Sequence, residues 1–112
     1  MTRTRDEIRE ARRKARTEYG DLFDSVAALL FRHDPIGINF ENNADEYEPE
    51  VETILPRLRS CSSGDDVVQV VHEEFVRWFD PGTAGSQDRY VQIASDIWQL
   101  WRDRQTPSDV PL

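Results

Sequence analysis

The stretch Asp65-Asp66-Val67-Val68-Gln69-Val70-Val71-His72-Glu73-Glu74-Phe75-Val76-Arg77-Trp78-Phe79 decides the fold class. Its crowded valines favour a strand by propensity alone. The spacing says otherwise. Val67, Val71, Phe75 and Trp78 recur at helical intervals, and His72-Glu73-Glu74 breaks any two-residue alternation. The stretch therefore predicts a helix. Ser62 with Asp65, or Ser63 with Asp66, forms a capping-box variant at its start, and Asp80-Pro81-Gly82 ends it.

Working outward, each neighbour reads as helix too. Downstream, Ser86 or Gln87 opens a segment carrying Tyr90, Ile93, Ala94, Ile97, Trp98, Leu100 and Trp101, with Arg102 and Arg104 where the helix dipole favours cations. Thr106 to Leu112 is expected to be a flexible tail, as are residues 1–5. Upstream, Ser60-Cys61-Ser62-Ser63-Gly64 is a linker. Before it, Glu48-Pro49-Glu50 starts a helix with Val51, Ile54, Leu55 and Leu58 on one stripe. Pro56 lies on the opposite, solvent side and predicts a kink, because it removes the hydrogen bond to the Glu52 carbonyl. Further upstream, Ile8, Ala11, Ala15, Tyr19, Leu22, Val26, Leu29 and Leu30 form one unbroken stripe. Gly20 inside it costs about 1 kcal/mol against alanine and marks a place for a break or kink, but the unbroken stripe favours a single long helix over Asp6–Arg32 rather than two. Glu10–Lys14 and Lys14–Glu18 are its expected i,i+4 pairs. Between the first two helices, Asp34-Pro35-Ile36-Gly37 has type I turn chemistry, and Ile38 and Phe40 are placed to pin the loop to the core. The expected architecture is all-α: a compact four-helix bundle in one domain, with a long first helix and an ordered Asp-Pro-Ile-Gly loop.

His33-Asp34-Pro35-Ile36-Gly37-Ile38, followed by Asp45-Glu46-Tyr47-Glu48 and the apolar helix to Leu58, resembles the small bacterial proteins grouped as domain of unknown function 1871. The resemblance spans roughly residues 22–100, by size and helix order. The Arg-rich segment 3–18 lies outside it. An aromatic often precedes the aspartate of that pattern, and here the position holds His33. The resemblance implies a compact helical fold and no particular activity.

The chain has 112 residues, 14 Lys and Arg against 22 Asp and Glu, and a net charge of -8. One domain is the natural reading of that length. The charge is uneven. Residues 1–20 carry seven basic and four acidic side chains; Asp34 to Leu55 carry seven acids and no base. General nucleic-acid binding needs a basic face and is not expected. No apolar run approaches the ~18–20 residues of a membrane span, and no apolar signal segment follows the basic start. A lone Cys61 excludes an internal disulfide framework and fits a reducing compartment. The expected location is cytoplasmic.

The chemistry-bearing groups are sparse. Asp34 with Asp45, Glu46 and Glu48 has the oxygen chemistry of a hard-cation site, but no D-x-D-x-D-G loop is present, and turn or helix capping explains these acids better. His72-Glu73-Glu74 is not H-E-x-x-H. His72 shares a helix face with Asp65, Gln69 and Glu73, which a solvated surface explains equally well. His33 has no constrained partner. Cys61 lacks an adjacent base. No Gly-rich phosphate loop exists. Neither a metal nor a cofactor is therefore expected, and an enzyme is the least favoured class.

Two features point to binding. Glu41, Asp45, Glu46, Tyr47, Glu48, Glu50 and Glu52 form an acidic stretch suited to steering a basic protein partner, as an immunity protein or antitoxin does toward a basic toxin. Trp78, Trp98 and Trp101 exceed what a small core needs, and an exposed one beside acids makes a binding hot spot. The alternative is a homo-oligomeric or accessory scaffold domain, packing its Arg-rich first helix and aromatic faces on a copy or a larger protein.

Overall fold

A reciprocal cap opens the chain. The Thr4 hydroxyl accepts from the Glu7 amide, and the Glu7 carboxylate accepts from the Thr4 amide, both at 3.1 Å. This computed structural model describes residues 4–37 and 47–105, and all its regular structure there is helical. Thr4 and Arg5, expected in a tail, are thus the cap and first turn of α1 (Arg5–Tyr19).

The expected single helix over 6–32 is two. Gly20 has φ 55° and ψ -130°, a left-handed conformation open to glycine. Its amide closes α1 on the Arg16 carbonyl at 2.7 Å, and its carbonyl accepts from Phe23 at 3.1 Å to start α2 (Asp21–His33). The stripe looked continuous because Tyr19 and Leu22, on either side of the break, face the same core. The expected i,i+4 pairs are also replaced. Glu10 pairs with Arg13 at 2.6 Å, and Glu18 with Arg59 at 2.9 Å.

Asp34 caps α2 in the left-handed region, φ 49°, and Gly37 closes the turn onto the Asp34 carbonyl at 3.2 Å. Ile38 and Phe40 lie outside the described residues. α3 (Glu48–Ile54) carries Pro49 in its first turn and tightens into a 3-10 turn, Leu55–Ser60, where Pro56 stands on the solvent side. The Asp65–Phe79 stretch is α4 (Gly64–Trp78), and Ser63 is its cap, accepting from Asp66 at 3.3 Å. The Asp66 carboxylate reaches back to the Ser62 amide at 2.7 Å. An additional one-turn helix, α5 (Pro81–Ala84), follows. Asp80 caps it by accepting from both the amide and the hydroxyl of Thr83. A 3-10 turn at Gln87–Tyr90 leads into α6 (Val91–Gln105). The described residues therefore hold six helices, not four.

α4 is the hub, packed on α3, α5 and α6, while α2 lies along α6 and α1 rests on α2 and α3. Phe75 sits at the centre, its ring 5.1 Å from Tyr90, 5.9 Å from Phe79 and 6.0 Å from Tyr47. Phe23, Val26, Leu30, Val51, Ile54, Leu58, Val71 and Ile97 are fully buried in the same core. Each such side chain contributes about 1.5–3 kcal/mol on burial. One contiguous buried cluster reaches from Tyr19 to Trp101. Among the described residues, no helix is long and apolar enough to cross a membrane.

Candidate partner-binding surface

The acidic stretch is where a partner was expected to dock. Glu41, Asp45 and Glu46 lie outside the described residues. The other four do not form an open face. Tyr47 is fully buried, and Glu50 is buried with it. The Tyr47 hydroxyl donates to Asp34 at 2.7 Å and accepts weakly from the Ile36 amide at 3.4 Å. Glu48 and Glu52, one helical turn apart on α3, turn toward α1 and meet Arg12 and Arg16, also one turn apart. Arg16 reaches Glu48 at 2.5 Å, and Arg12 reaches Glu52 at 3.3 Å and Glu48 at 3.7 Å. The Glu48 and Glu52 side chains retain only 12% and 6% of their exposure, so these carboxylates are structural counter-charges. Arg16 also lies 4.9 Å above the Phe23 ring and contacts Asp24, so one guanidinium joins α1, α2 and α3. The signal for this pairing was present in the sequence as two Arg and two Glu at matching i,i+4 spacing. Nothing in the sequence set the two helices face to face.

The catalytic candidates are engaged structurally. His72 contacts the Gly85 carbonyl at 2.9 Å and lies 5.7 Å from the Tyr90 ring. Glu73, its neighbour, is bound by Arg57 and Gln69. His33 bridges to Asp96 of α6 at 3.2 Å. Among the described residues, no group of three or more His, Cys, Asp or Glu side chains converges as metal ligands would. The Cys61 thiol is half-buried and donates to the Arg57 carbonyl at 3.6 Å. Burial, then the nearby Asp66 charge, pushes its pKa above the ordinary thiol value. The thiolate fraction at pH 8 is therefore below that of free cysteine. Cys61 should react with a disulfide reagent at least about 3-fold more slowly than glutathione at that pH; a faster reaction would contradict the buried, anion-flanked setting.

The tryptophans divide. Trp101 is buried, Trp98 is partly buried, and Trp78 keeps 38% of its surface while its indole donates to Thr53 at 2.9 Å. One anchor escaped the sequence reading. Arg89 donates from a single nitrogen to the carbonyls of Pro35, Thr83 and Ala84 at 3.0–3.1 Å. Gly85 makes room for it: a Cβ there would stand 2.6 Å from the guanidinium carbon. No family model, curated protein or solved structure matches this chain.

Proposed function

We propose that this chain is a non-enzymatic protein-binding domain that takes a basic protein partner, in the manner of an immunity or antitoxin-type inhibitor, in the cytoplasm. One observation carries the reading: the chain holds 22 carboxylates against 14 basic side chains, a net charge of -8. Internal pairing moves this excess without removing it. Because Glu48 and Glu52 are held by Arg12 and Arg16, the steering charge falls to Glu41, Asp45 and Glu46, with exposed Asp6, Asp21, Asp65 and Asp88 adding to the field.

The kinship with domain of unknown function 1871 is part of the same proposal. What supports it is that the two parts of the shared pattern touch, through the Tyr47 hydroxyl on Asp34.

The test starts from partners captured from native extract and identified by cross-linking through carboxylates, since the chain has a single lysine, Lys14. The triple variant Glu41→Gln/Asp45→Asn/Glu46→Gln leaves the Arg12 and Arg16 pairs in place. Its association rate with the identified partner should fall about 10-fold at low salt and much less at high salt. An association rate that ignores both salt and the triple variant would end the reading.

A further inference from the structure

α2 and α6 lie antiparallel, since His33 at the end of α2 meets Asp96 and Arg104 at the end of α6 reaches the Glu18 carbonyl just before α2. Two adjoining shallow hollows run along their seam, about 240 and 500 Å³, sharing Ser25 and Leu100 as common walls. Each hollow carries one acid and one base on opposite helices, with the signs exchanged. Asp21 of α2 stands across from Arg104 of α6 in the first; Arg32 of α2 stands across from Asp96 of α6 in the second. Asp21 and Arg32 are exposed, and neither makes an ion pair or hydrogen bond among the described residues. The centre is low, with Ala28 and Ser25 exposed over Leu22 and Leu29.

We infer that this face docks a second copy of the chain across a twofold axis. Closed symmetry requires a surface complementary to itself, and four corner charges of alternating sign satisfy that requirement. A twofold axis lying in the face has two settings. With α2 on α2, Asp21 meets Arg32 of the second copy, and Asp96 meets Arg104. With α2 on α6, Asp21 meets Arg104, and Arg32 meets Asp96. Both settings join opposite charges only. Charge of this kind fixes orientation and register, while the low centre, with Ala28 and the partly buried Leu100, lets the two faces approach closely. The two tests separate, because the basic-partner test varies Glu41, Asp45 and Glu46 and none of the four corner charges.

Sedimentation velocity of the full chain at physiological salt should show a reversible dimer as concentration rises to about 200 μM. Ala28→Arg, at an exposed helical position that leaves the fold intact by circular dichroism, should weaken it by about 100-fold, and Arg32→Glu by about 10-fold. The swap Asp21→Arg/Arg32→Glu then fixes the setting. It restores the dimer if α2 lies on α2, and abolishes it if α2 lies on α6. A chain that stays monomeric throughout that range overturns the inference. So does a dimer indifferent to both Ala28→Arg and Arg32→Glu, including one built on another face.

Discussion

Arg57→Met, at a half-buried arginine, should destabilise the fold by about 2 kcal/mol, less than removing one partner of a fully buried pair costs. The reason is Glu74. Its side chain is 1% exposed in the middle of α4, and Arg57 reaches one carboxylate oxygen at 2.8 Å. Methionine keeps the apolar stem and deletes the charge, so Glu74 remains in the interior with Arg77 alone, 3.5 Å away on an exposed side chain. Arg77 is why the expected cost is not larger. Urea unfolding measures the loss directly. The double variant Arg57→Met/Glu74→Met should recover most of it, because apolar groups of similar volume replace a buried pair at little cost. If the double variant is no more stable than the single one, Glu74 is held by something other than Arg57.

The same guanidinium gives a pH signature. Its hydrogen bond, followed by that of Gln69, holds the Glu73 carboxyl below its ordinary pKa. A carboxylate depressed in the folded state contributes stability above its unfolded value. That contribution is lost as pH falls through the folded one. The wild-type chain should therefore lose this part of its stability in acid, below the usual glutamate range. Arg57→Met should keep only the Gln69 share of it at neutral pH, so the gap between the two proteins narrows as pH drops. Glu73 is largely exposed, so the narrowing is small beside the Glu74 effect.

Arg12→Glu/Arg16→Glu is expected to act differently. Glu48 and Glu52 would face like charges, but they can escape into water if α1 lifts away. The cost is then capped by what docking α1 contributes, about 2–3 kcal/mol for charge-assisted pairs at a half-buried seam. Once released, a helix of 15 residues is marginal alone in water. Hydrogen exchange should show α1 unprotected while α4 and α6 stay protected, with circular dichroism losing about one helix of signal. Uniform loss of protection across all helices would mean that α1 is integral to the core rather than laid on it.

Much of this architecture was legible from spacing. The α4 valines sit on a helix because a period near 3.6 buries Val67, Val71 and Phe75 together, and that outweighed their strand propensity. Pro56 marked the place where α3 tightens, and Ser63 with Asp66 marked the start of α4. The break at Gly20 is hidden by the stripe, because hydrophobic period reports which side is buried and not whether the backbone is continuous. α5 went unseen because one turn, Pro81–Ala84, is too short to carry a period; only Asp80 and Thr83 announce it. The acidic stretch was the harder case. Charge reads directly from sequence, but exposure depends on what packs opposite. Arg12 and Arg16 come from another helix, so their claim on Glu48 and Glu52 is a tertiary fact.

Arg89 has a mechanical corollary. One side chain ties the turn after α2 to the turn of α5, and it gathers carbonyls from both with the same nitrogen. Two surface corners distant along the chain are thereby riveted at a single point. Loosening that rivet frees both corners together, and anything that grips one of them stiffens the other.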